Sequence, residues 1–147
     1  MKIHSYGILI LGCWLALPVM ADDAIIGYVK NTTPNAYLIQ NQQQQLAQLG
    51  SPISIGMIIK TDAQGTIGLA LKDDTLLSFG PDTEFEMLSY EYQPEASQLK
   101  LDMSLLKGTL QYISGVIAKL KPAAVNLKTP SGIIGVRGTR FVVKVED

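Results

Sequence analysis

The sequence predicts an all-β fold, a single small domain built as a sandwich-like or solenoid-like stack of short strands after an N-terminal signal peptide. Three observations carry that expectation. Apolar residues alternate with polar or small ones along most of the chain. Turn residues recur at spacings of roughly ten positions. No segment carries a convincing helical stripe.

The first 21 residues are set apart from the fold. Lys2 supplies a positive charge, Tyr6 to Leu17 is almost wholly apolar, and a small residue, Ala21, precedes the acidic pair Asp22-Asp23. This is the layout of a secretory signal peptide, and the apolar run is too short for a comfortable membrane span, which takes roughly 20 residues. Cleavage is expected after Ala21. Ile10-Leu11-Gly12-Cys13 also resembles a lipoprotein cleavage box, but only about six apolar residues precede Cys13 and the run continues beyond it. Residues 22–147 then form the domain.

Along that domain, Ile67, Leu69 and Leu71 alternate with Gly68, Ala70 and Lys72, the period of a half-buried strand. Asp73-Asp74-Thr75 turns the chain, and Leu77 and Phe79 resume the inward row. Gly80-Pro81-Asp82-Thr83 is the next turn signal, after which Phe85 and Met87 point inward and Glu84 and Glu86 outward. Further strands are expected at Leu99/Leu101, Leu110/Tyr112, Val125/Leu127 and Phe141/Val143/Val145. Leu99 to Tyr112 also admits a helical turn near Ser104. The glutamine-rich stretch 40–48 cannot bury much and is expected as an exposed hairpin tip or loose strand. The last strand, Thr139 to Val145, is expected at a sheet edge, open to a partner's strand.

Composition narrows the chemistry. His4, Cys13 and Trp14 are the chain's only residues of their types, and all three fall in the signal peptide. The mature domain has no imidazole base, no thiol nucleophile and none of the usual ligands of zinc, copper or haem. The expectation is a non-enzyme with no catalytic residues, no cofactor and no metal. Without Lys2, eleven basic side chains face thirteen acidic ones, which leaves no overall electrostatic footprint for nucleic acid.

Several local groups have a plain structural explanation. Asp82, Glu84 and Glu86 could pair as catalytic or calcium-binding carboxylates, but alternation alone puts them on the solvated face of a strand. Ser104 and Lys107 match a Ser-x-x-Lys spacing without any accompanying motif. Tyr90 and Tyr92, in the polar connection "SYEYQPEASQ", are candidate surface contacts for protein or sugar.

The stretch "KTPSGIIGVRGTRFVVKV", residues 128–145, is the most distinctive. Its glycines fit neither a dinucleotide fingerprint nor a phosphate loop. They supply backbone freedom for a sharp corner, with Arg137 between Gly135 and Gly138 able to tie loop carbonyls or a carboxylate, or else to meet a ligand.

These residues resemble the C-terminal signature of FecR-type domains, in which a Thr-Pro pair, here Thr129-Pro130, leads to Arg-Gly-Thr, here Arg137-Gly138-Thr139, and a hydrophobic strand. Gly27-Tyr28-Val29, Ser54 to Thr61, Gly65 to Phe79 and Leu105 to Tyr112 are similar to the family's remaining elements, in order. Met57 stands where the family usually has Asp, and Asp74 where it has Gly, which suggests a different turn type there. The resemblance implies an all-β periplasmic module. In the best-known members that module belongs to a transmembrane regulator that senses an outer-membrane transporter and controls a sigma factor. This chain is expected to differ from such a complete regulator and to act as a secreted, non-enzymatic interaction module accessory to envelope signalling. The expected partner is another envelope protein, with no nucleic acid and no membrane span in the mature chain. A glycan or other envelope polymer is the alternative ligand.

Overall fold

One strand organises the domain. In the computed structural model, which describes residues 24–147, β9 (Gln98–Ile113) runs for 16 residues and belongs to both halves of a curled sheet. The expected signal peptide lies outside the described residues.

The first half of β9 pairs antiparallel with β8 (Glu84–Gln93) and parallel with β10 (Val125–Thr129). Its second half pairs antiparallel with β7 (Leu76–Phe79) on one side and β12 (Arg140–Val145) on the other. Between the two halves sits Gly108, at φ 91°, where a side chain would overlap Thr83. The helical turn contemplated near Ser104 does not form, and Gly108 is a hinge within one strand where sequence alone suggested a break between two.

From β8 the sheet continues through β5 (Ile58–Thr61) and β2 (Ala36–Gln40) to β3 (Gln43–Leu46). From β7 it continues through β6 (Ile67–Leu71) and β1 (Ile25–Thr32) to β4 (Pro52–Ser54). Both halves turn their apolar rows onto one core, joined where the rings of Phe79 and Phe85 lie 4.7 Å apart. The expectation of a single small all-β domain holds, realised as one curled sheet. The glutamine stretch forms the β2–β3 hairpin, turning at Asn41 and Gln42, both at positive φ, with β3 exposed along its length.

After β9 the chain makes a five-residue helix, α1 (Val116–Leu120), then a single tight turn at Pro122–Ala124 before β10. β11 (Gly132–Gly135) folds back on β10 and, among the described residues, pairs with no other strand. Among them β12 likewise has β9 as its only strand partner, so the last strand is an edge there, as expected. No helix among the described residues is long and apolar enough to cross a membrane.

Two sequence expectations change here. Tyr90 and Tyr92 do not lie in a loop, because β8 runs on to Gln93. A bulge between Met87 and Ser89 shifts the alternation by one residue beyond Leu88, so that Tyr90, not Ser89, turns into the core, at 8% exposure. Asp74 does not force a different turn by avoiding positive φ. It adopts φ 67°, conformational ground a glycine would occupy freely, and Met57 is buried in the core.

Candidate functional site

The corner that stood out in sequence lines a groove of about 660 Å³. Gly135, Val136, Arg137 and Gly138 form one wall. Pro122, Ala123, Val125 and Asn126 form the other, carried there by the turn after α1 and the start of β10. The walls are pinned where the Val136 N–H donates to the Val125 carbonyl at 3.3 Å. Val136 is buried, while Gly135, Arg137 and Gly138 are exposed. The volume falls within the range of small-molecule and peptide-side-chain pockets.

The signature residues do not converge on one point. Thr129 and Pro130 sit at the far end of the β10–β11 hairpin, where the Thr129 hydroxyl donates to the Gly132 carbonyl at 3.1 Å and closes the turn. Gly135, Arg137 and Gly138 are at the groove. Thr139 follows and contributes its carbonyl, which accepts the Ser114 N–H at 2.9 Å.

Arg137 does not brace this corner, contrary to the first expectation from sequence. Its guanidinium has no hydrogen-bond or ion-pair partner among the described residues and is exposed. The brace is Ser114. Its hydroxyl donates to the Gly138 carbonyl at 2.8 Å, beside the backbone bond to Thr139, so one buried residue holds both ends of the Gly138 bend. Gly138 itself is at φ 102°, which accounts for glycine there. Sequence gave no signal for Ser114, because its partners lie more than twenty positions away.

At the start of α1 lies a fully buried acidic side chain, Asp73. Asp73 Oδ2 accepts the Thr75 hydroxyl at 2.8 Å and the Ile117 N–H at 3.1 Å, and Oδ1 accepts the Tyr90 hydroxyl at 3.1 Å. The Asp73 carbonyl accepts the Val116 N–H at 2.7 Å. The β6–β7 turn thereby fixes the start of α1, and α1 delivers the Pro122–Ala123 wall. Tyr90 completes the set, and burial first, then the neighbouring carboxylate, pushes its phenol pKa well above the ordinary tyrosine value. Asp73 is closed to solvent, so its chemistry is that of an internal tie.

The acidic row is spread out. Asp82 lies in a turn at φ 50°, and Glu84 stands in register between Lys60 of β5 and Lys107 of β9. Among the described residues, no three His, Cys, Asp or Glu side chains come together as a metal cluster would.

The family model described as FecR protein matches residues 57–147 of the chain. No curated protein and no solved structure matches it.

Proposed function

Because this chain belongs to the FecR protein family, we propose that it acts as a non-enzymatic interaction module of the periplasm, exported by its N-terminal segment and working through another envelope protein in signalling or regulation. The family membership supports a sensory or regulatory role. The observation that carries the contact role is Arg137: a cation of the signature stretch, exposed at the rim of the groove and without a partner among the described residues. The Ser114 and Asp73 contacts hold the backbone under it, so the groove is a formed surface on a rigid support. The alternative of a glycan ligand relied on two exposed tyrosines. Tyr90 is turned into the core, which leaves Tyr92 without its companion.

The test is in-cell photo-crosslinking from exposed positions distributed over the domain, namely Leu49, Ile133 and Val142. A discrete protein adduct at one or more of them is expected, with the chain recovered in the periplasmic fraction and beginning at Asp22. Absence of any protein adduct, with the purified domain retained on peptidoglycan, would overturn the reading.

A further inference from the structure

We propose that the β10–β11 hairpin and the groove at its end bind an extended, apolar segment of a partner protein that carries carboxylates, added as a strand to the free edge of β11 and met by Arg137. This rests on the interaction role above and specifies its surface and its partner's chemistry.

Charge is the first ground. The formal net charge of −1 hides a strong asymmetry. Residues 116–140 contain five cations, Lys119, Lys121, Lys128, Arg137 and Arg140, and no Asp or Glu, whereas residues 24–115 contain nine acids and five bases. All five cations are exposed, and none has an ion-pair partner among the described residues. Asp102, which lines the pocket beside Lys128, accepts from Asn126 at 3.1 Å and pairs with Lys100 at 3.4 Å. Arg137 lines the larger groove and Lys128 the pocket beside it, on a segment whose positive charge no acid of its own answers, which steers and selects an acidic partner.

The second ground is the edge itself. β11 reads Gly-Ile-Ile-Gly, pairs only with β10 among the described residues, and carries Ile133 at 71% and Ile134 at 39% exposure. Its four-residue length is its one protection: it has no lysine, proline or bulge, whereas the edge strand β12 carries Arg140 and Lys144. Unblunted edges accept a partner strand through their amides and carbonyls, and neighbouring pockets then read alternate side chains. Two such pockets flank this strand. They share Asn126, with Arg137 at one and Lys128, Ile133 and Asp102, already tied to Asn126 and Lys100, at the other.

These features disfavour other occupants. A second copy paired edge to edge would set its Lys128 and Arg137 near the same cations of the first. A lipid surface would leave the β11 amides without partners. A glycan finds no aromatic ring in the lining of either pocket.

The experiment uses the exported chain and fluorescein-labelled seven-residue peptides in which valine alternates with aspartate and glutamate, or with lysine. A third peptide carries proline at the centre of the acidic sequence, which prevents strand pairing. Fluorescence anisotropy at low salt is expected to show the acidic peptide binding about tenfold or more tightly than the other two, with Arg137→Glu and Lys128→Glu each weakening it by a similar factor. Neither side chain has an internal partner to lose, and thermal melts are expected to match wild type. Equal affinity for the acidic and lysine peptides, no binding of the acidic one, or indifference to Arg137→Glu would overturn the proposal. So would stronger binding to phosphatidylglycerol vesicles, or self-association abolished by Arg137→Glu. Crosslinking separates this claim from the broader one: protein adducts from Leu49 but not from Ile133 would sink the hairpin site and leave the interaction role standing.

Discussion

Tyr90 and Asp73 hold each other through a single hydroxyl: the Tyr90 oxygen accepts the Asp73 N–H at 2.9 Å and donates its proton to Asp73 Oδ1 at 3.1 Å. The residue that the sequence offers as a surface contact is instead a rivet between β8 and the β6–β7 turn. Tyr90→Phe strips one partner from a buried amide and another from a buried carboxylate. A loss of about 1–3 kcal/mol is expected in urea denaturation, since an unmade buried bond costs the desolvation of the group left behind. A loss below the error of the extrapolation would contradict the assigned bond pair.

Stability is expected to fall at high pH. In the unfolded chain a tyrosine ionises near its ordinary value of 10.0, while burial and the adjacent Asp73 keep Tyr90 protonated well above it. As pH rises past the unfolded value, the unfolded chain releases a proton that the folded one retains, so the contribution present below that pH drains away. Circular-dichroism melts between about pH 8 and 12 should show the decline, and Tyr90→Phe should make it shallower. Parallel declines in the two proteins would remove Tyr90 as a cause.

Tyr112 makes the opposite case. Its ring stacks on Phe141 with centroids 4.7 Å apart, yet its hydroxyl is buried with no hydrogen-bond partner among the described residues. Burial raises its pKa, and the Ser114 and Thr75 hydroxyls counter that without reaching bonding geometry. Tyr112→Phe keeps the stack and deletes the orphan oxygen. The variant is expected to be neutral or more stable by up to about 1 kcal/mol, read from the denaturation midpoint. A clear loss would show that the oxygen has a partner.

Two glycines separate family signature from packing need. A side chain on Gly115 would overlap the Asp73 carbonyl and the Thr75 amide, both fixed backbone. Gly115→Ala is therefore expected to cost about 1–3 kcal/mol or more. Gly135 lies in the signature, but a Cβ there meets nothing within 4 Å and its φ is not positive. Gly135→Ala should change stability by less than about 0.5 kcal/mol, measured by the same titration. If the order reversed, the close approach of α1 to the β6–β7 turn would be misassigned.

Alternation made β6, β7, β10 and β12 legible, because each keeps one phase from end to end. β8 was legible only to Met87, since the bulge beyond it reverses which residues face inward, and no local feature of "MLSYEY" announces that reversal. β11 has four residues and no polar partner to alternate with, and α1 has five, too few to display a helical period. The corner at Gly138 could be anticipated from glycine and the family likeness. Its dependence on Ser114, and the freedom of Arg137, could not, because both follow from pairing β9 with β12, a relationship no short window contains.

The double membership of β9 sets how this molecule comes apart. One strand supplies ladder bonds to four neighbours, and it passes through Gly108 from one sheet half to the other without a break. Neither half retains a complete set of neighbours if the other melts, so the domain has no seam along which to open partway. Its amides should exchange with solvent as a single cooperative block centred on β9, leaving the peripheral hairpins free to fray on their own.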